Sequence, residues 1–190
     1  MTGCSLRWAP VSSAVVTCLP ASLSASDRRE IAALTAAPFD VVIAESVARS
    51  AVCYAILVED DLLGIVGVAP DPETAGSDSG QIWQLSTTKL RAHRIAYLRA
   101  CAGGLALFHS IYPHLWNVID ARNRTTIRWL DWCGFVFTRR LPGFGINGEL
   151  FYRFERRSRI GNPTWAAANR PLPSLPPTWA PAPRPRAPGR

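Results

Sequence analysis

The chain has 190 residues, 48% of them hydrophobic, and a formal net charge of +7. That length suits one domain with its own core, since a fold of this size buries about 70% of its unfolded surface and needs no disulfide or metal staple. The charge is not a nucleic-acid footprint: residues 1–155 balance 14 basic against 14 acidic side chains, and all the excess comes from seven arginines from Arg156 onward, so the folded part offers no basic stripe. The reading is therefore no specific nucleic acid, with the basic tail a solubilising extension.

The five cysteines (Cys4, Cys18, Cys53, Cys101, Cys133) are odd in number and form no CxxC pair. This argues against a zinc site or redox motif and for a reducing compartment. No run reaches the roughly 20 apolar residues of a membrane helix, so no membrane partner is expected. Arg7 and the apolar run 11–19 outline a secretory leader, but Ser12, Ser13 and Thr17 interrupt it and Pro20 follows; a strand is the better reading.

In chain order, the β-branched residues 14–19 (AVVTCL) predict the first strand. Ser26 predicts an N-cap, with Asp27 and Glu30 at the positive end of a helix that Pro38 stops. Residues 40–50 suit a second short helix or an extended segment. The apolar runs 51–59 and 62–69 around Asp60-Asp61 predict a hairpin, and residues 81–86 (QIWQLS) another strand. The longest helix is expected from residue 87 or 88 to 112, with Leu98, Cys101, Leu105, Phe108 and Tyr112 on one face. Its Gly103-Gly104 pair marks either close packing or a break. Residues 115–121 (LWNVIDA) predict a strand and residues 123–133 a helix capped by Asn123 and ended by Gly134. Strands at 135–140 and 149–155 close the domain.

The order βα(α)βββαβαββ predicts a single α/β domain over residues 14–157. Nine of the 16 prolines then fall within residues 163–188, which predicts a disordered proline- and arginine-rich tail over 158–190. PLPSLPP (171–177) outlines a PxxP ligand, with a plain extension the simpler reading.

The segment Asn123-Arg-Thr-Thr-Ile127-Arg-Trp129-Leu130-Asp-Trp132-Cys-Gly134-Phe135 resembles the signature of the GNAT N-acetyltransferases: a helix after the fifth strand that opens with Asn and ends in Gly-Phe. Arg91-Ala-His93-Arg94-Ile-Ala96 is similar to that superfamily's R/Q-x-x-G-x-G/A loop, with Arg94 in place of the first glycine. Over residues 14–157, the run VIDARNRTTIRWLDWCGFVF and the ending FYRFERR look like GNAT-like proteins of phages and prophages, related to the internal virion proteins of short-tailed phages. IWQLSTTKL and the helix with Asp27 and Glu30 are similar to that group as well.

The resemblance implies a mixed, mostly antiparallel sheet flanked by helices. It implies an acyl-CoA site, with acetyl-CoA the expected cofactor and an amine the acceptor. A bulged fourth strand at Leu85, Ser86 and Thr87 would take the pantetheine arm. Arg91, Arg94 and Ala96 would take the diphosphate at a helix N-terminus, and Asn123 would flank the acyl arm. Leu130 stands where many members carry a proton-donating tyrosine. No catalytic residue is identified: His93, Asp120 and Glu59 are base candidates by type alone, and His109 and His114 show no metal-ligand spacing. The alternative is a non-catalytic virion or morphogenesis protein with virion partners. Localisation would be the bacterial host cytoplasm or the phage virion.

Overall fold

In the computed structural model, which describes residues 6–158 except 73 and 75–77, the apolar runs flanking Asp60 pair as the expected hairpin. The elements are β1 (Leu6–Pro10), α1 (Ser13–Ser22), α2 (Ala25–Leu34), α3 (Phe39–Arg49), β2 (Val52–Val58), β3 (Asp61–Pro70) and β4 (Ser79–Ser86), then a 3-10 turn (Thr88–Arg91), α4 (Arg94–Ile111), β5 (His114–Asp120), α5 (Arg124–Trp132), β6 (Val136–Leu141) and β7 (Phe151–Arg157). Seven strands make one sheet in the order β1-β2-β3-β4-β5-β7-β6. Every neighbouring pair is antiparallel except β4 with β5. That parallel step needs a long crossover, which α4 supplies. The expected tail lies outside the described residues.

β3 is buried continuously from Leu63 to Ala69, as a strand covered on both faces must be. On one face α4 and α5 close a core containing Phe108, Leu115, Ile119, Leu130 and Phe154. On the other, α1, α2 and α3 cover Ala55 and Ile65 with Leu19, Leu23, Ile31 and Ile43. Gly104 lets α4 approach β1: a Cβ there would lie 2.4 Å from Cη2 of Trp8. The glycine pair is thus a close-packing device, and α4 runs through it unbroken.

Several expectations need correction. Residues 14–19 are not a strand but the body of α1, and the first strand is Leu6–Pro10, antiparallel to β2. Ser12 caps α1 by accepting from Val15 N–H at 3.4 Å. Leu19 and, just past the helix, Leu23 are then buried against the sheet with Val15 and Val16 packed beside them, which outweighs the β-branched preference of the two valines. Ser24, not Ser26, caps α2, accepting from Asp27 N–H at 3.2 Å. Of the two readings for residues 40–50, the helix is the one that forms, as α3 over Phe39–Arg49. The helix expected from residue 87 starts at Arg94, behind the 3-10 turn. β4 carries no bulge; the extra residue is Leu63 of β3, opposite the Ile56–Leu57 step of β2.

The end of α5 follows its sequence signals. Gly134 sits at φ 82°, its N–H reaches Asp131 O and Phe135 N–H reaches Leu130 O. This is a Schellman closure, with Leu130 and Phe135 both buried.

Candidate functional site

β4 and β5 are sheet neighbours, yet they pair over only three residues: Ser79 with His114, Gly80 with Leu115 and Gln81 with Trp116. Asn117 ends the ladder. Its Nδ2 donates to Ile82 O at 2.7 Å, while its Oδ1 accepts from Val118 N–H at 2.7 Å and from Gln81 Nε2 at 3.2 Å. One side-chain amide satisfies main-chain groups on both strands, so they diverge without orphaned polar groups.

A cavity of about 340 Å³ occupies the gap. On the α4/α5 side Tyr97, Cys101, Trp129 and Leu130 line it; on the other side Asp27, Glu30, Ile31 and Leu34 of α2 face Val42 and Ser46 of α3. The gap therefore opens a passage through the sheet that both layers of helices reach.

The free end of β4 is stitched to α2. Ser86 N–H donates to Asp27 Oδ2 at 2.6 Å, and Ser86 O accepts from Ser24 N–H at 2.8 Å. Ile82 O and both Ser86 main-chain groups point away from β3, so by the two-residue repeat of a strand the Gln84 N–H and C=O face the gap as well. The Gln84 side chain turns toward α4, where its Oε1 accepts from the Tyr97 hydroxyl at 2.5 Å.

Two carboxyl groups sit one helical turn apart at the gap, Asp27 and Glu30, as positions i and i+3 must. Burial pushes Glu30 up to about 7, with the nearby Asp27 and Asp120 charges adding and the Asn123 hydrogen bond opposing. That bond runs from Asn123 Nδ2 to Glu30 Oε2 at 3.0 Å. Burial also raises Asp27, against the hydrogen bonds from Ser86 and Ser24. Burial keeps the Tyr97 phenol far above its usual range. For Asp120, burial is outweighed by its Arg122 contacts at 2.5–2.9 Å, which hold it below the ordinary value.

The segment expected to grip phosphate folds inward. Leu90 N–H bonds Thr87 O, Ala92 N–H bonds Lys89 O, His93 N–H bonds Leu90 O, and Lys89 N–H bonds Thr87 Oγ1. Lys89 Nζ and His93 Nε2 both hold Asp61, at 2.5 and 2.8 Å. What faces outward is the start of α4, whose N-cap His93 provides no side-chain cap, flanked by the exposed Arg91 and Arg94.

Of the residues marked in the sequence, Leu85 lines the cavity. Ser86 lies at the stitched edge. Thr87 is buried, its N–H on Leu63 O and its hydroxyl on Leu62 O. Arg91, Arg94 and Ala96 gather around the start of α4, and Asn123 caps α5 while holding Glu30. Of the base candidates, His93, Asp120 and Glu59 all lie outside the cavity lining, as do His109 and His114. Sequence reading missed Glu30, Asp27, Gln84, Asn117 and Tyr97 as site residues. The available signals were the acidic i, i+3 pair and the lone Asn inside the apolar strand LWNVID.

No protein-family model and no curated protein matches the chain. Solved structures do. Spermidine N-acetyltransferase from Vibrio cholerae, in complex with CoA and spermine, superimposes with a TM-score of 0.62 at 11% identity over 81% of this chain and 96% of that one. Ard1 from Thermoplasma volcanium gives 0.63 at 13% identity over 81% and 98%. A GNAT-family chain from Chromobacterium violaceum gives 0.61 at 15% identity over 80% and 87%. At such identities the likeness carries the fold alone, and none of these three is described as a phage or virion protein. The chain has the fold of the GNAT acetyltransferases.

Proposed function

We propose that this chain is an N-acyltransferase that moves an acyl group from an acyl-CoA, in the simplest case acetyl-CoA, to an amine. The observation that carries the reading is the passage between β4 and β5, with a half-buried carboxyl at its α2 side whose desolvation raises it to about 7. A general base works best with a pKa near the operating pH, and Glu30 meets that condition. The solved spermidine N-acetyltransferase holds CoA together with an amine, which supports an amine acceptor here.

In this reading the amine enters between α2 and α3 and gives its proton to Glu30 as its nitrogen attacks the thioester carbonyl. The C–N bond forms, the C–S bond breaks and the thiolate leaves. Leu130 has no proton to give. Tyr97, kept protonated by burial and lining the same cavity, is the proposed hydrogen-bond donor to the departing sulfur; Glu30 passes the amine proton to solvent and the thiolate takes one up from it. Asn123 orients Glu30. The Gln84 main chain and Leu85 would flank the pantetheine arm, with Ser86 and Thr87 closing its end. Arg91, Arg94 and the first-turn amides of α4 as far as Ala96 would meet the diphosphate. The neighbouring loop amides, bonded internally, are spent.

A second reading is a non-catalytic protein of phage type that keeps only the fold, with virion partners. Leu130 and the internally bonded loop favour it. The first reading places the protein in a bacterial cytoplasm, the second in a phage particle. Thiol release from acetyl-CoA, measured with and without a panel of primary amines, separates them. Amine-dependent release that falls about 10²–10⁴-fold in Glu30→Gln supports transfer; no release with any amine supports the second reading.

A further inference from the structure

On the α1–α3 side the cavity is a groove between α2 and α3 over β4, and its charges are arranged with polarity. Three charged side chains line the whole cavity: Asp27, Glu30 and Arg49. Asp27 is fixed to Ser86, at the splayed end of β4. Arg49 is the last residue of α3, and the next residue, Ser50, accepts the Trp83 indole N–H at 2.9 Å. Trp83 precedes Ser86 by three strand residues, which rise about 10 Å. The Asp27 carboxyl and the C-terminal end of α3, which carries Arg49, are therefore about 10 Å apart along the strand.

Between the two ends the walls are mostly apolar: Ile31 and Leu34 on α2, Val42 on α3, and Trp83 and Leu85 on the floor, while the Ser46 hydroxyl on α3 is turned to Val42 O at 2.7 Å. Arg49 is exposed, and among the described residues no carboxylate lies within ion-pair distance of it, Glu45 one turn back included. The groove thus presents a proton-accepting, cation-binding end, an apolar middle and an unpaired cation. A simple amine would leave that cation unused.

We infer that the acceptor is an extended zwitterion, an amine joined through an apolar body to a carboxylate about 10 Å away, as in a short peptide of about three residues. This rests on the transfer reading for the role of Glu30, but not for the binding itself. The amine sits at Asp27 and Glu30, and the carboxylate pairs with the Arg49 guanidinium, whose fork suits it. The groove admits the side chains against Ile31, Val42 and Leu85.

The test is calorimetric binding of the tripeptide Ala-Leu-Ala, its C-terminal amide and its N-acetylated form to the full chain, for wild type and Arg49→Ala. Arg49 is exposed and outside the reacting groups, so the variant should fold as wild type. The free acid should bind about fivefold more tightly than the amide, as one exposed ion pair allows. The preference should vanish in Arg49→Ala, and N-acetylation should weaken binding to wild type. Equal binding of acid and amide, a preference that survives Arg49→Ala, or no binding of any form would overturn the inference. Thiol release from acetyl-CoA is recorded in parallel: absent release with the acid preference intact would refute transfer and leave the zwitterion groove standing.

Discussion

Asn117 and Glu30 show what single residues contribute here. Asn117 was visible in the sequence as a polar interruption of LWNVID, but its partner Ile82 lies 35 residues earlier, and nothing local announces that a strand ladder ends there. Glu30 was equally visible and was read as a helix-end charge; its side-chain partner Asn123 lies 93 residues away. Its raised pKa has a cost in stability. The unfolded carboxyl titrates near 4.5 and the folded one near 7. Between those values the folded state holds the extra proton, so this group's contribution falls as pH rises and is lost above 7. Asp27, also raised by burial, acts with the same sign. Glu30→Gln should therefore match wild type near pH 4 and gain up to about 3 kcal/mol over it at pH 8, read as a shift in the urea midpoint at the two pH values. An equal shift at both would mean that Glu30 is not held neutral by the fold.

At the scale of elements, the second half of the chain was legible because its signals are local. Asn123, Gly134 and Phe135 cap and close α5 as their residue types dictate. The first half was less so. Val15, Val16 and Thr17 are β-branched, yet the burial of Leu19, the packing of Val15 and Val16 beside it and the Ser12 cap make the segment helical. The 3-10 turn was hidden because its stabilising contact, Asp61 with Lys89 and His93, comes from the β2–β3 hairpin. The glycine pair of α4 left two readings open until Trp8 was placed. Gly104→Ala would improve helix propensity by about 1 kcal/mol. It would also push Cβ into a ring held between Tyr54 and Phe108, and overpacking costs about 1–3 kcal/mol. A net loss of about 1 kcal/mol is expected by chemical denaturation; a gain would show that Trp8 moves freely.

At the scale of the molecule, the sheet is two units, β1 to β4 and β5-β7-β6, joined by three residue pairs and covered by helices on both faces. The fold class was readable because strand and helix periodicities and the α5 signature agree on one order. The site was readable only in part, because it lies between the two units and draws on α2, β4, α4 and β5 at once. The sheet ends at Arg157. A chain stopped after Arg159 should therefore unfold at the same midpoint as the full one, and a drop of several degrees would show that the proline-rich segment packs on the domain.

The central claim is that the β4/β5 gap performs acyl transfer with Glu30 accepting the proton of the amine. The pH dependence of kcat/KM for amine-dependent thiol release from acetyl-CoA tests it most directly, once the amine's own ionisation is divided out. A rise governed by one group of pKa about 7, as burial sets for Glu30, and its loss in Glu30→Gln are the expected results. The same profile in wild type and Glu30→Gln, or no amine-dependent release at any pH, would contradict the account.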